Sequence, residues 1–105
     1  MQKSKRKRLE ASGWRAGDAA EFLELTPEEA AFVELKLALA RHVREVRAEH
    51  RWTQAQVARE LGSSQSRVAR MEAADATVTV DLLVKTLLAL GVSREEVGRV
   101  IARAA

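Results

Sequence analysis

The sequence predicts an all-α fold, five helices behind a short N-terminal extension, and three observations carry that prediction. Ala, Leu, Glu and Arg dominate the 105 residues, with a single proline, so helix is favoured nearly throughout. Apolar residues recur at intervals of three and four, the period of a helix face. Ser or Thr stands before each of five such runs, where the first free N–H groups of a helix need a side-chain oxygen. A chain of this length suits one domain with a modest core.

Residues 1–26 read as a basic arm followed by an acidic extension, and residues 27–105 as the folded domain. The arm shows no apolar period and contains Ser12-Gly13 and Gly17; Trp14 is its one candidate for docking, on this chain or on a partner. Asp18 with Glu21 looks like a capping box opening a short helix, although the run EFLEL also alternates like a strand. Thr26-Pro27-Glu28-Glu29 starts the first long helix: Thr26 caps it, Pro27 suits its first position and Glu29 closes a capping box. No breaker follows until His50-Arg51, and Phe32, Leu35, Leu39, Val43, Val46 and His50 form the expected core stripe, widened by Val33, Leu37 and Ala40. This helix is longer and more apolar than one small domain covers, which points to packing on another chain.

The second helix is expected over Gln54–Leu61 behind the cap Thr53, and the third from Gln65 to about Ala73. Ala74-Asp75-Ala76 make the next turn. Thr79 caps a fourth helix, VDLLVKTLLAL, apolar around most of its circumference and ending at Gly91. Ser93 and Glu96 suggest another capping box before the stripe Val97, Val100, Ile101, Ala104 of the fifth.

The net charge of +3 conceals a pattern. Residues 1–8 carry five positive charges (Lys3, Lys5, Arg6, Lys7, Arg8), residues 9–40 carry net −5, and the remainder net +3. The basic tip is either a solvated terminus or an arm that tracks a phosphate backbone. If Lys3 to Arg8 touch DNA, deleting residues 1–8 flattens the slope of log affinity against log salt, by about 0.9 for each phosphate that the arm neutralises. An unaltered slope in such a titration makes the tip a solvated terminus. The start MQKSKRKRLE is not followed by an apolar run, so it does not read as a secretory signal, and no apolar stretch approaches a membrane span. A cytoplasmic, nucleoid-associated protein is expected. There is no cysteine, so no disulfide or thiolate metal site is possible, and no cofactor or metal is expected. His42 and His50 stand eight apart, and no Gly-rich phosphate loop or nucleophile motif occurs, so the chain does not read as an enzyme.

The sharpest signal is QAQVARELGSSQSRVARMEA, residues 54–73, which has the spacing of a helix-turn-helix. Ala58 is small where two helices cross, and Gly62 stands where the chain turns left-handed. Ser63 and Ser64 are candidate caps, and Val57, Leu61, Val68 and Met71 fall at the buried positions. Gln65, Ser66, Arg67 and Arg70 remain polar and outward.

Residues 35–91 resemble the XRE-type helix-turn-helix domains of lambdoid phage repressors, through Trp52-Thr53-Gln54 at the opening of the second helix and Gly62-Ser63-Ser64-Gln65-Ser66 at the turn. The resemblance implies that Gln54 anchors a phosphate at its helix N-terminus, and that Gln65, Ser66 and Arg70 enter the major groove. The chemistry agrees, since glutamine pairs bidentately with adenine and arginine with guanine. Ser64 and Arg67 are better placed for phosphates. The resemblance also implies a salt bridge between Arg47 and Glu72. Two departures stand out: Arg51 occupies a position where many members have glycine, so the first helix ends differently or tolerates strain. The loop 73–78 lacks basic residues, leaving its N–H groups, Thr77 or the arm to meet phosphates.

The function expected is a sequence-specific transcriptional regulator, a repressor, bound as a homodimer to double-stranded DNA with a pseudo-palindromic operator. The acidic extension, helix-turn-helix and short tail also resemble HigA-type antitoxins, which repress their own operon and neutralise a small basic RNA-cleaving toxin of the RelE or HigB kind. The contrasting class is a protein-interaction module of the same fold that no longer binds DNA. Its best support is the loop without basic residues.

Overall fold

The computed structural model describes residues 24–104. The basic arm, Trp14 and the Asp18–Glu21 helix start lie outside these residues, as does Ala105. Among the described residues the chain forms five α-helices and no strand, as expected: α1 Pro27–Glu49, α2 Gln54–Leu61, α3 Gln65–Glu72, α4 Val80–Ala89 and α5 Arg94–Arg103. Each begins at a hydroxyl that accepts an N–H three residues on: Thr26 from Glu29, Thr53 from Gln56, Ser64 from Arg67, Thr79 from Leu82 and Ser93 from Glu96. Of the two candidates before α3, it is therefore Ser64 and not Ser63 that caps.

The return half of the capping box forms at Thr26 and Thr53 but not at Ser93. Glu96 turns instead to basic side chains: its Oε1 accepts from Arg99 Nε at 2.9 Å, and its Oε2 lies 3.5 Å from Arg103 Nη2 and 3.6 Å from His42 Nε2 on α1. The Arg99 hydrogen bond, with the nearby charges, holds the Glu96 carboxyl below the usual carboxylate range.

α1 is the spine, packed against α3, α4 and α5, while α2 lies on α3 and α4 on α5. Leu39 and Val43 of α1, Val57 of α2, Val68 and Met71 of α3, and Leu83 and Leu87 of α4 are fully buried. Each such side chain contributes about 1.5–3 kcal/mol of transfer free energy. The buried Thr86 hydroxyl donates to Met71 Sδ at 3.3 Å, which satisfies it inside this core.

The stripe on α1 holds at Leu39, Val43 and Val46, with Val33 and Ala40 beside it as expected, but not at its two ends. Val33, Leu39, Ala40, Val43 and Val46 are buried, whereas Phe32 is 53% exposed and His50 is exposed. α4 and α5, at ten residues each, are roughly 15 Å long and α1 roughly 35 Å. Such short partners cannot cover every apolar position of α1, and Phe32 falls outside their cover. His50 caps α1, where its ring leaves the helix face to stack on Trp52 with centroids 4.2 Å apart.

Four helices end alike, with one residue turned left-handed: Arg51 (φ 57°), Gly62 (63°), Ala74 (51°) and Gly91 (93°). After α1, for example, Trp52 N–H bonds Arg47 O and Arg51 N–H bonds Ala48 O, which satisfies two otherwise free carbonyls. Glycine adopts this conformation without a Cβ penalty; an L residue there costs roughly 1 kcal/mol. Of the two endings left open for α1, the strained one occurs. Ala74 offsets its strain by burial, but Arg51 is exposed. Arg51→Gly is therefore expected to raise stability by about 0.5–1 kcal/mol, measured as a higher urea midpoint. An unchanged midpoint would mean that the arginine side chain compensates for its own backbone.

Candidate nucleic-acid interface

α2, the Gly62 turn and α3 are held as one unit by the residues the sequence assigned to that task. Val57, Ala58, Val68 and Met71 are buried, and Leu61 is half-buried against the core. Gly62 N–H bonds Arg59 O and Ser63 N–H bonds Ala58 O, so the turn itself is closed by backbone bonds. Three elements then converge on one chain of polar contacts. Gln65 Nε2, at the first position of α3, donates to Gln54 Oε1 at 2.7 Å, at the first position of α2. Gln54 Nε2 donates to Glu72 Oε1 at 3.1 Å. Glu72 in turn receives Arg47 Nη2 on Oε1 at 3.0 Å and Arg47 Nε on Oε2 at 2.6 Å, and Arg47 Nη1 reaches Trp52 O at 3.1 Å.

The direction of this chain follows from its end. An ionised carboxylate only accepts, so the Gln54 nitrogen must face Glu72 and its oxygen must face Gln65, whose own nitrogen therefore points inward. Among the described residues Gln65 Oε1 has no partner, and its second amide N–H is also unbonded. Those two groups are the acceptor and donor that an adenine edge requires. The hydrogen bond that Arg47 donates to Glu72 raises the Arg47 pKa, so the guanidinium end of the chain stays charged.

The structure thus brings Gln54 and Gln65 into direct contact and places the Arg47–Glu72 bridge that the resemblance implied. Ser64, Gln65, Ser66, Arg67 and Arg70 are exposed, and Gln54 is half-buried. Ser64 Oγ accepts Arg67 N–H at 3.2 Å and lies 3.3 Å from Ser66 Oγ. Among the described residues the Arg67 and Arg70 guanidinium groups make no hydrogen bond or ion pair. What sequence reasoning missed is the double duty of Glu72, which supports Gln54 as well as Arg47. Its position seven residues after Gln65, two turns along one face of α3, was the available signal.

The loop after α3 is less open to phosphate than the sequence allowed. Thr77 N–H and Oγ1 both bond Asp75 Oδ1, at 2.9 and 2.8 Å, and Lys36 Nζ donates to Asp75 O at 3.1 Å. The Thr77 hydroxyl proton is already engaged. Short α2 and α3 joined by a left-handed glycine, with polar side chains outward on α3 and an anchored glutamine before it, define a helix-turn-helix. The helix-turn-helix family model matches residues 43–97, just over half of the chain, and the chain belongs to that family, the XRE-type DNA-binding transcription regulators. No curated protein and no solved structure matches it. Among the described residues no helix is long and apolar enough to cross a membrane.

Proposed function

We propose that this chain is a repressor that binds a two-fold operator as a homodimer and reads each half-site with α3. The observation that carries this reading is the Gln65–Gln54–Glu72–Arg47 chain, which fixes a reading amide with its adenine-matching groups unbonded. In this arrangement Gln65, Ser66 and Arg70 meet base edges, and Gln54, Ser64 and Arg67 meet phosphates. Selection of bound fragments from genomic DNA, followed by footprinting, tests it; recovery of no common half-site would overturn sequence-specific reading.

The dimer is supported by reach and by surface. One reading helix offers only three or four base-facing side chains, and two-fold symmetry doubles them at half-sites roughly 34 Å apart. Phe32 (53% exposed), Leu88 (42%) and Ile101 (39%) remain uncovered on α1, α4 and α5. We assign α4 and α5 as the main dimer surface, with the 18–37 region adding to it. Sedimentation at micromolar concentration is expected to give twice the 11.6 kDa chain mass. An 11.6 kDa species that persists with two-half-site DNA would remove the symmetric mechanism.

Within this class the finer reading is an antitoxin that represses its own operon. It is supported by the acidic 18–34 segment, which complements a small basic toxin. A short basic reading frame beside the gene, whose product arrests growth unless this chain is co-expressed, is the expected result. Growth unaffected by every neighbouring gene would overturn it.

A further inference from the structure

We propose that the groove between α2 and the C-terminal end of α4 binds a free amino acid with an apolar side chain. The groove has a volume of about 470 Å³, within the range of small-ligand sites. Its apolar part is built from Val57 (1% exposed), Leu90 (8%) and the half-buried indole of Trp52, with the turn at Gly91 beside them. The Trp52 ring is braced by His50, stacked at an interplanar angle of 14°. Val57 and Leu90 are already buried, so an aromatic or branched side chain finds its apolar contact chiefly on the half-buried Trp52 indole.

The rim supplies the polar recognition. Gln56 Oε1 accepts the Thr53 N–H at 2.7 Å, which leaves its amide N–H groups as donors. Arg59 and Glu60 also line the groove, both exposed, and among the described residues neither makes an ion pair or a side-chain hydrogen bond. One cation, one carboxylate and one amide donor therefore stand beside an apolar floor. An α-carboxylate matches Arg59 and Gln56, and an α-ammonium matches Glu60. A purely anionic ligand would face Glu60 unpaired and a purely cationic one would face Arg59, so the zwitterion is the complement that uses every group. Trp52 also accepts Arg47 Nη1 on its carbonyl, so a filled groove abuts the polar chain that ends at Gln65.

The test is a titration of the ¹⁵N-labelled full chain, without DNA, so that its outcome does not depend on the DNA-binding reading. L-Phenylalanine is expected to shift the Trp52 indole N–H and the Val57 and Gly91 amides saturably. Phenylalaninamide and N-acetylphenylalanine, each lacking one charge, are expected to bind about tenfold more weakly, roughly 1.4 kcal/mol for each absent charge. Arg59→Ala should abolish the preference over phenylalaninamide, and Glu60→Ala the preference over N-acetylphenylalanine. Both side chains are exposed, so both variants should keep the fold, seen as unchanged shifts in α1. Absence of saturable shifts, equal binding of the three compounds, or selectivity untouched by both substitutions would each overturn the proposal.

Discussion

Arg47→Ala is expected to lower folding stability by about 3–5 kcal/mol, a larger effect than that of any other substitution proposed for this chain. The reason lies in which partner is buried. The Glu72 side chain is 6% exposed and that of Arg47 21%, so deleting the arginine leaves a carboxylate in the interior with only the neutral Gln54 amide to meet it. The Trp52 carbonyl is also deprived of Arg47 Nη1. Small domains have roughly 5–15 kcal/mol of stability in total, so much of the margin would go. Glu72→Gln should cost less, since the glutamine still accepts from Gln54 and Arg47 can extend toward water. Replacing both partners, Arg47→Met with Glu72→Leu, should recover most of the stability, because no charge is then left buried. Urea denaturation followed by helical circular dichroism checks the cycle. A decrease of less than about 1 kcal/mol for Arg47→Ala would place the pair among surface bridges.

Gln65→Ala and Arg70→Ala are each expected to weaken specific DNA binding by about 1–3 kcal/mol and to relax preference at one base pair. A phosphate anchor behaves differently: its removal weakens binding on all sequences alike. Gln54→Ala should show both effects. It removes the proposed phosphate contact, and it releases the Gln65 amide, which Gln54 holds at 2.7 Å. The variant should therefore bind every operator less tightly and also discriminate less at the base pair that Gln65 reads. A double-mutant cycle between the two glutamines, titrated against operator variants, separates these contributions. Strict additivity would mean that Gln54 does not position Gln65, and unchanged base preference in Gln65→Ala and Arg70→Ala would remove both from the reading role.

Local signals determined most of the fold by themselves. The five hydroxyl caps, the α2–α3 turn and the burial of Val57, Val68 and Met71 were legible because each depends on residues within one or two turns of chain. The family could also be recognised at this level, since the motif is one contiguous stretch. The side chains of the proposed site were legible as types, polar and outward on α3, but not as a connected set.

Tertiary structure decided the rest. Which face of α1 is buried depended on the length and placement of α4 and α5, so Phe32 was left uncovered although its spacing matched the core. Glu96 had the right spacing for a capping box, yet Arg99 and Arg103 on α5 drew its carboxylate away, because stronger charge partners lay within reach. Periodicity could not show that Arg51 would hold a left-handed backbone. The polar chain from Arg47 to Gln65 joins residues 18 and 25 apart in sequence. Sequence alone offered the residue types and the helical register; only the packing of α1, α2 and α3 brought their polar ends within hydrogen-bond distance, in a place where burial makes those bonds count.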